Sequence, residues 1–183
     1  MPGNSKDIIV RTTIETPLGN MVACATQSAV CLLEFEDRIR YDRQMSSLRK
    51  LLKSSIVEGE SEYFDVLAKQ LQEYFDKKRK QFELPLQLVG TDFQQIVWSG
   101  LLEIPHGKTL SYLELSKKLG NSLAIRAVAS ANAANKIAIL IPCHRVIGSQ
   151  GELTGYAGGI WRKKYLLELE GYLPNGQTSL AFV

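Results

Sequence analysis

Five aliphatic residues, Ile137-Ala138-Ile139-Leu140-Ile141, run straight into Pro142, and the next two residues are Cys143 and His144. An apolar run of this kind belongs inside a fold. Proline fixes its own φ and cannot donate to a ladder, which argues for a bend at Pro142. The bend matters because neighbours in an extended chain point to opposite sides. His144 can serve Cys143 only if the chain turns there or a water bridges the pair. The 183 residues hold only three cysteines and two histidines, so this adjacency concentrates scarce chemistry. A thiolate is a strong nucleophile once a base has taken its proton. The dipeptide alone leaves a second reading open, a buried structural thiol beside a surface imidazole.

The residues that follow favour the chemical reading. Gly148, Gly151, Gly155, Gly158 and Gly159 crowd into twelve positions with Tyr156 among them. That density suits a loop that turns sharply or lets a ligand approach its backbone. A helix is predicted from Gly159 onward, stopped by Gly171. Glu170 at its end is badly placed for the helix macrodipole, so another group has to hold it there. A carboxylate that orients an imidazole completes a nucleophile–base–orienter set of Cys143, His144 and Glu170.

The first half carries no chemistry of this sort. β-Branched and alternating patterns predict strands at 8–14, 21–25 and 30–35, with a turn at Thr16-Pro17-Leu18-Gly19-Asn20. Residues 38–53 are basic and fit a helix. Phe64, Leu67, Leu71, Tyr74 and Phe75 fall at helical spacing within 60–78. Lys77-Lys78-Arg79-Lys80 reads as a solvated helix end rather than a nucleic-acid patch. An extended stretch, 82–88, leads to a linker near Val89-Gly90. The expected organisation is an N-terminal α/β domain, 1–89, and a C-terminal domain, 90–183. Residues 1–90 are net neutral and residues 91–183 are net +3, so the positive excess lies in the half with the Cys-His pair. That fits a phosphate-facing surface. No apolar run approaches membrane-spanning length, and the polar N-terminus has no signal-peptide pattern. An odd, small number of cysteines offers no disulfide framework, so a reducing, cytoplasmic setting is expected. Cys24 and Cys31 read as core residues, and the few Cys and His residues make no convincing zinc site, so no metal is expected.

Helical hairpin signals fill the second half. Thr91-Asp92-Phe93-Gln94 and Ser111-Tyr112-Leu113-Glu114 read as capping boxes. The first helix is expected to present Phe93, Ile96, Val97, Gly100 and Leu101 on one face and to stop before Pro105. His106 falls in the turn after it and reads as a loop histidine. The second helix ends near Gly120, and a third runs from Ala124 to Ala134. Helix, short turn, helix has the form of a helix-turn-helix. The third helix is built from small residues and carries one long cation, Arg126. It reads equally as a slim rod for a narrow space or as a tightly packed core helix.

Pro142-Cys143-His144-Arg145-Val146 resembles the active-site motif of the O6-alkylguanine-DNA alkyltransferases, also called methylated-DNA–protein-cysteine methyltransferases. The resemblance is close over residues 90–171 and looser before. It implies an α/β (α+β) fold: a small N-terminal sheet-plus-helix domain, ribonuclease H-like, then a mainly helical domain with a helix-turn-helix. It implies transfer of alkyl groups, methyl above all, from O6 of guanine and from O4 of thymine in double-stranded DNA to Cys143. The transfer would be irreversible, with no cofactor, in a protein expected to be a monomer. Cys143 matches the nucleophile, His144 the water-linked base and Glu170 the orienting acid. Tyr112 matches a tyrosine that meets the phosphate beside the lesion and protonates the leaving guanine. Arg126 matches an arginine that fills the stack when the damaged base is flipped out, with Ala127 and Ser130 beside it on DNA. Asn135 matches a hinge before an active-site strand. Guanine would be held by the backbone carbonyls of Cys143 and Val146, by the N–H of Ala157, and by a wall at Tyr156 and Gly158.

Two departures from the family pattern bear on the pocket. Ala157 stands where many members carry serine, so a hydroxyl contact to guanine O6 is missing. Ala138 stands where some members carry proline, so a bulky alkyl group would lose an apolar wall. Two other classes stay in view: a helix-turn-helix protein that recognises lesions without chemistry, and a Cys-His-Glu hydrolase acting on acyl substrates. The first has no use for the Cys-His-Glu set, and the second has none for Arg126.

Overall fold

A computed structural model describes residues 8–172. The chain divides into two compact units, one running to Thr91 and taking in Lys136–Ala138, the other holding Asp92–Asn135 and the residues from Ile139 onward.

The first unit is a four-stranded sheet of order β3-β2-β1-β4, built from β1 (Ile9–Ile14), β2 (Met21–Ala25), β3 (Val30–Phe35) and β4 (Ile56–Glu58). β1, β2 and β3 pair antiparallel, with Thr12 opposite Ala23 and Cys24 opposite Leu32. β4 adds parallel to β1. Every residue of β2 and β3 is buried, which marks a sheet covered on both faces. Cys24 and Cys31 sit in this core at 0 % exposure, as the alternating pattern predicts. The basic stretch forms α1 (Tyr41–Leu52), which packs Met45 and Leu48 against Ile9, Val22 and Leu32. α2 (Glu62–Phe75) starts on a Ser61 cap and buries Phe64, Leu67, Leu71, Tyr74 and Phe75, the stripe predicted by spacing. Gln70 on α2 grips the backbone of Glu83 through both ends of its amide, at 2.8 and 3.1 Å. This holds the extended segment 82–88, whose Leu86 bridges Val30 at the free edge of β3. At the basic end of α2, Lys78 pairs with Asp76 and Arg79 with Glu73, so it is a solvated helix end.

The second unit is mainly helical: α3 (Asp92–Leu102), α4 (Tyr112–Lys118), α5 (Ile125–Ala133) and α6 (Ile160–Leu169), with a parallel pair of two-residue strands, β5 (Leu110–Ser111) and β6 (Val146–Ile147). The Ser111 capping box forms as expected: Ser111 Oγ accepts the Glu114 N–H at 3.1 Å and the Glu114 carboxylate accepts the Ser111 N–H at 2.7 Å. α4 stops at Gly120, φ +81, and the chain turns into α5. Trp98 of α3 donates its indole N–H to the Ala131 carbonyl of α5 at 2.8 Å and ties the two helices together.

Two expectations fail here. The inner face of α3 is Val97, Trp98, Gly100 and Leu101, whereas Phe93 and Ile96 are 40 % and 54 % exposed. Trp98, the bulkiest side chain, sets the rotation of the helix, and Phe93 and Ile96 turn outward. The apolar run Ile137–Ile141 is not a strand. Ile137 alone bridges Leu33 of β3, and residues 138–140 form a turn. Ile139 there takes φ +71, which costs a β-branched residue on the order of 1–2 kcal/mol. Its side chain is 1 % exposed, and that burial offsets the strain.

Candidate active site and nucleic-acid face

The bend expected at Pro142 takes the form of a single 3-10 turn over Cys143–Arg145, leading directly into β6. Within that turn Cys143 and His144 no longer alternate across an extended chain. All three side chains are buried, Cys143 at 7 % exposure and His144 at 0 %. Asn135, in the segment after α5, aims its amide at the start of the turn. Its Nδ2 donates to the Ile141 carbonyl at 2.9 Å and lies 3.2 Å from Cys143 Sγ. A donor on sulfur stabilises negative charge there.

α6 delivers the carboxylate. Lys163, Leu166, Leu167 and Glu170 recur at the spacing of one helical face, and all are buried. Beyond Glu170 the Gly171 N–H bonds the Glu168 carbonyl and the Tyr172 N–H bonds the Leu167 carbonyl at 2.8 Å. This is the Schellman arrangement, with Gly171 at φ +83, and it locks Glu170 at the cap. Glu170 is held there by the groups its unfavourable helix position called for. Its Oε1 meets His144 Nε2 at 2.8 Å. Arg145 donates to both carboxylate oxygens, Nε to Oε2 at 2.8 Å and a second guanidinium nitrogen to Oε1 at 2.9 Å. The Gly107 N–H adds a fourth contact at 3.1 Å, and Arg145 is itself anchored on the Ile104 carbonyl at 2.6 Å.

These contacts set the charges. Burial would raise the Glu170 carboxyl, but hydrogen bonds from His144 and Arg145, together with the Arg145 charge, outweigh it and hold the group well below the carboxylate range. Burial lowers the His144 imidazole, against the opposing pull of Glu170. We assign an anionic Glu170, a cationic Arg145 and a neutral His144. With Nε2 committed to Glu170, the buried Nδ1 makes no hydrogen bond within the described residues and is the nitrogen able to take a proton.

Tyr112 opens α4 half-buried, its hydroxyl donating to the Thr154 carbonyl at 3.4 Å. Burial first, then charge at Cys143, pushes its phenol up to about 12, so it keeps its proton at neutral pH. Gly155 is required beside it, because a Cβ there would lie 2.6 Å from the Tyr112 hydroxyl. Of the pocket residues expected from the resemblance, Val146, Tyr156 and Gly158 are buried and Ala157 is half-buried. The two carbonyls expected to read guanine already have partners. Cys143 O accepts from the Val146 N–H and, at 3.5 Å, from Asn132, while Val146 O accepts from Lys163. Arg126, Ala127 and Ser130 share the exposed face of α5, opposite the buried Val128, Ala131 and Asn132. His106 lies half-buried in the turn whose next residue, Gly107, holds Glu170.

Three participants escaped the reading of the sequence. Arg145 belongs to the motif, yet its role as the second partner of Glu170 shows only in the fold. Asn132 meets the Cys143 carbonyl from α5. Lys163 is 0 % exposed, and its ammonium donates to the Val146 and Thr154 carbonyls and stands 5.9 Å over the Tyr112 ring. Burial lowers its pKa to about 8. The signal for Lys163 was present: a helical wheel places it on the face of Leu166, Leu167 and Glu170.

The Ala138 N–H donates to the Leu33 carbonyl at 2.7 Å, so proline at 138 would forfeit a hydrogen bond. It would not simply add an apolar wall. Among the described residues no helix is long and apolar enough to cross a membrane.

Comparison with known proteins converges on one family. Residues 92–172 match the 6-O-methylguanine DNA methyltransferase DNA-binding domain, and residues 9–88 match the ribonuclease-like domain of the same proteins. A methylated-DNA–protein-cysteine methyltransferase of Methanosarcina acetivorans is 47 % identical over 137 residues, 74 % of this chain and 87 % of that protein. The constitutive enzyme of Bacillus subtilis is 38 % identical over 162 residues, 87 % of this chain and 93 % of that protein. The crystal structure of the Mycobacterium tuberculosis O6-methylguanine methyltransferase superposes with a TM-score of 0.76 at 39 % identity, covering 92 % of this chain and 96 % of that one. That of Mycobacterium tuberculosis OGT in complex with DNA gives 0.74 at 41 % identity, covering 86 % and 90 %. With both halves matched and relatives of this identity along most of its length, the chain belongs to the methylated-DNA–protein-cysteine methyltransferase family.

Proposed function

We propose that this protein repairs alkylated DNA by taking the alkyl group from O6 of guanine, or O4 of thymine, onto Cys143. The observation that carries the assignment is the buried chain of contacts Arg145–Glu170–His144 next to a sulfur that receives an Asn135 N–H. Glu170 fixes the imidazole with Nδ1 free, and His144 draws the Cys143 proton through one water. The thiolate attacks the alkyl carbon in line with its bond to O6. The S–C bond forms as the C–O bond breaks, and the electron pair stays on the base. Tyr112, protonated at neutral pH, supplies the proton that lets guanine leave. The thioether has no route back to thiol, so each molecule acts once, without a cofactor.

Cys143 is 7 % exposed, and a base inside a duplex cannot reach it. The lesion has to leave the stack. The exposed face of α5, with Arg126, Ala127 and Ser130, is the DNA face in this reading, and Arg126 takes the vacated place in double-stranded DNA. Nothing in the scheme needs a second copy, and we assign a monomer. The test is intact-mass analysis after mixing with a duplex carrying O6-methylguanine. One added methyl per molecule supports alkyl transfer. Multiple turnover would support a hydrolase, and binding with no mass change a lesion-recognition protein.

A further inference from the structure

The turn before α5 carries an unusual surface. Leu123 is 95 % exposed and Ile125 is 37 % exposed, immediately before Arg126. A single exposed leucine needs no explanation. Here two aliphatic side chains flank the start of a helix whose outer face, apart from Arg126, is small: Ala127, Ser130 and Ala133. The turn presents them in a set conformation. Asn121 Oδ1 accepts the Leu123 N–H and the Asn121 carbonyl accepts the Ala124 N–H, each at 3.1 Å. An ordered apolar tip loses little freedom on binding.

The charge around it identifies the partner. No Asp or Glu occurs between Glu114 and Glu152, while Lys117, Lys118 and Arg126 surround the tip in sequence. Lys117 and Arg126 are exposed, and Lys118 pairs with Glu103 at 2.8 Å. α5 begins without a side-chain cap and without an acid in its first turn. An apolar tip between two helices that carry the exposed Lys117 and Arg126, with no Asp or Glu in the turn or in α5, suits a polyanion that also offers apolar surface. DNA does so through its deoxyriboses and base faces, and aliphatic side chains are common wedges in proteins that unstack it.

We infer that Leu123 and Ile125 form an apolar prong that seats on the deoxyribose and base faces of duplex DNA beside Arg126, providing affinity that salt does not weaken. The inference rests on the functional reading above and deepens it. Phosphate contacts lose strength steeply with salt, through counterion release. A prong buries apolar surface and leaves that slope alone.

The experiment measures binding of a fluorescent duplex to wild type, Leu123→Ser, Leu123→Ser/Ile125→Ala and Leu123→Lys across a salt series. Unchanged melting temperatures confirm that the variants fold. The double variant should bind about tenfold more weakly at every salt concentration with the same slope, and Leu123→Ser should fall between it and wild type. Leu123→Lys should stay weaker than wild type at high salt. Binding of the double variant within twofold of wild type would overturn the prong. So would tighter binding by Leu123→Lys with a slope steeper by about one, the mark of a phosphate-facing position. A wild type that binds no duplex would defeat the functional reading itself, whereas normal wild-type binding with unaffected variants would defeat only the prong.

Discussion

The two units each bury cysteine, to opposite effect. Cys24 and Cys31 lie in the sheet of the first unit at 0 % exposure, and Cys143 in the second at 7 %. Burial hardly separates them; their neighbours do. Cys31 is itself a donor, to the Cys24 carbonyl at 3.5 Å, and both thiols sit in a hydrophobic cluster with Ile9, Val22, Leu32, Met45 and Leu48. Burial first pushes both thiols up to about 12, and Cys31 adds to the shift of Cys24. Cys143 instead receives a donor from Asn135 and opens the turn that holds His144 against Glu170. A buried thiol becomes a nucleophile when polar groups are buried with it and arranged to take its proton.

The sharpest way to break this contrast is at Glu170. Glu170→Gln keeps an acceptor but loses the charge that favours imidazolium. Transfer should slow by roughly tenfold to a thousandfold, in the range of general-base effects, with DNA affinity nearly unchanged. Single-turnover rates on an O6-methylguanine duplex check this, and a wild-type rate would remove Glu170 from the site. Arg126→Ala should produce a smaller defect that depends on substrate. It should be large for a lesion stacked in a duplex, small in a single strand and nearly absent for the free base. Equal rate ratios on all three would leave Arg126 as a general phosphate contact.

pH separates the two units further. The folded-state pKa values of His144 and Glu170 lie below their ordinary 6.5 and 4.5. As pH falls through those ordinary values, the unfolded chain takes up protons first. The stability contributed by the His144–Glu170 pair is therefore complete above about pH 6.5 and is lost in acid. Transfer follows the same sense, falling only where His144 protonates. Cys24 and Cys31 work the other way. The unfolded chain loses their protons from 9.0, while the folded one keeps them to about 12, so they erode stability in base. Urea titrations across pH should show that replacing both with alanine flattens the alkaline limb and leaves the acid limb in place. Loss of the acid limb in that variant would contradict the assignment.

Much of this was legible in advance, for definite reasons. Ser111 and Glu114 at capping-box spacing start α4 where expected, and Gly171 ends α6 in a left-handed cap. Glu170 was informative because its place defied the macrodipole, and the structure answers with Arg145 and His144. What stayed hidden depends on contacts far apart in sequence. β4 is three residues long and is defined by pairing to β1, which no local pattern reveals. The aliphatic run at 137–141 forms a turn because Leu33 claims its backbone on both sides, accepting from Ala138 and donating to Lys136. Lys163 is a single cation within the predicted helix, and only its place on the face of Leu166, Leu167 and Glu170 betrays its burial. Ala138→Pro sharpens the point and carries the smallest expected effect: loss of a buried hydrogen bond should cost about 1–3 kcal/mol of stability. Denaturant midpoints measure it, and an unchanged midpoint would mean that bond contributes nothing.

The central claim is that one buried thiol of three is made reactive by its polar neighbours. Peptide mapping by mass spectrometry after incubation with excess O6-methylguanine duplex tests it most directly. The account predicts one methyl group per molecule, all of it on the peptide containing Cys143, with Cys24 and Cys31 unmodified. Methyl on either of those two cysteines, or more than one lesion repaired per molecule, would contradict it.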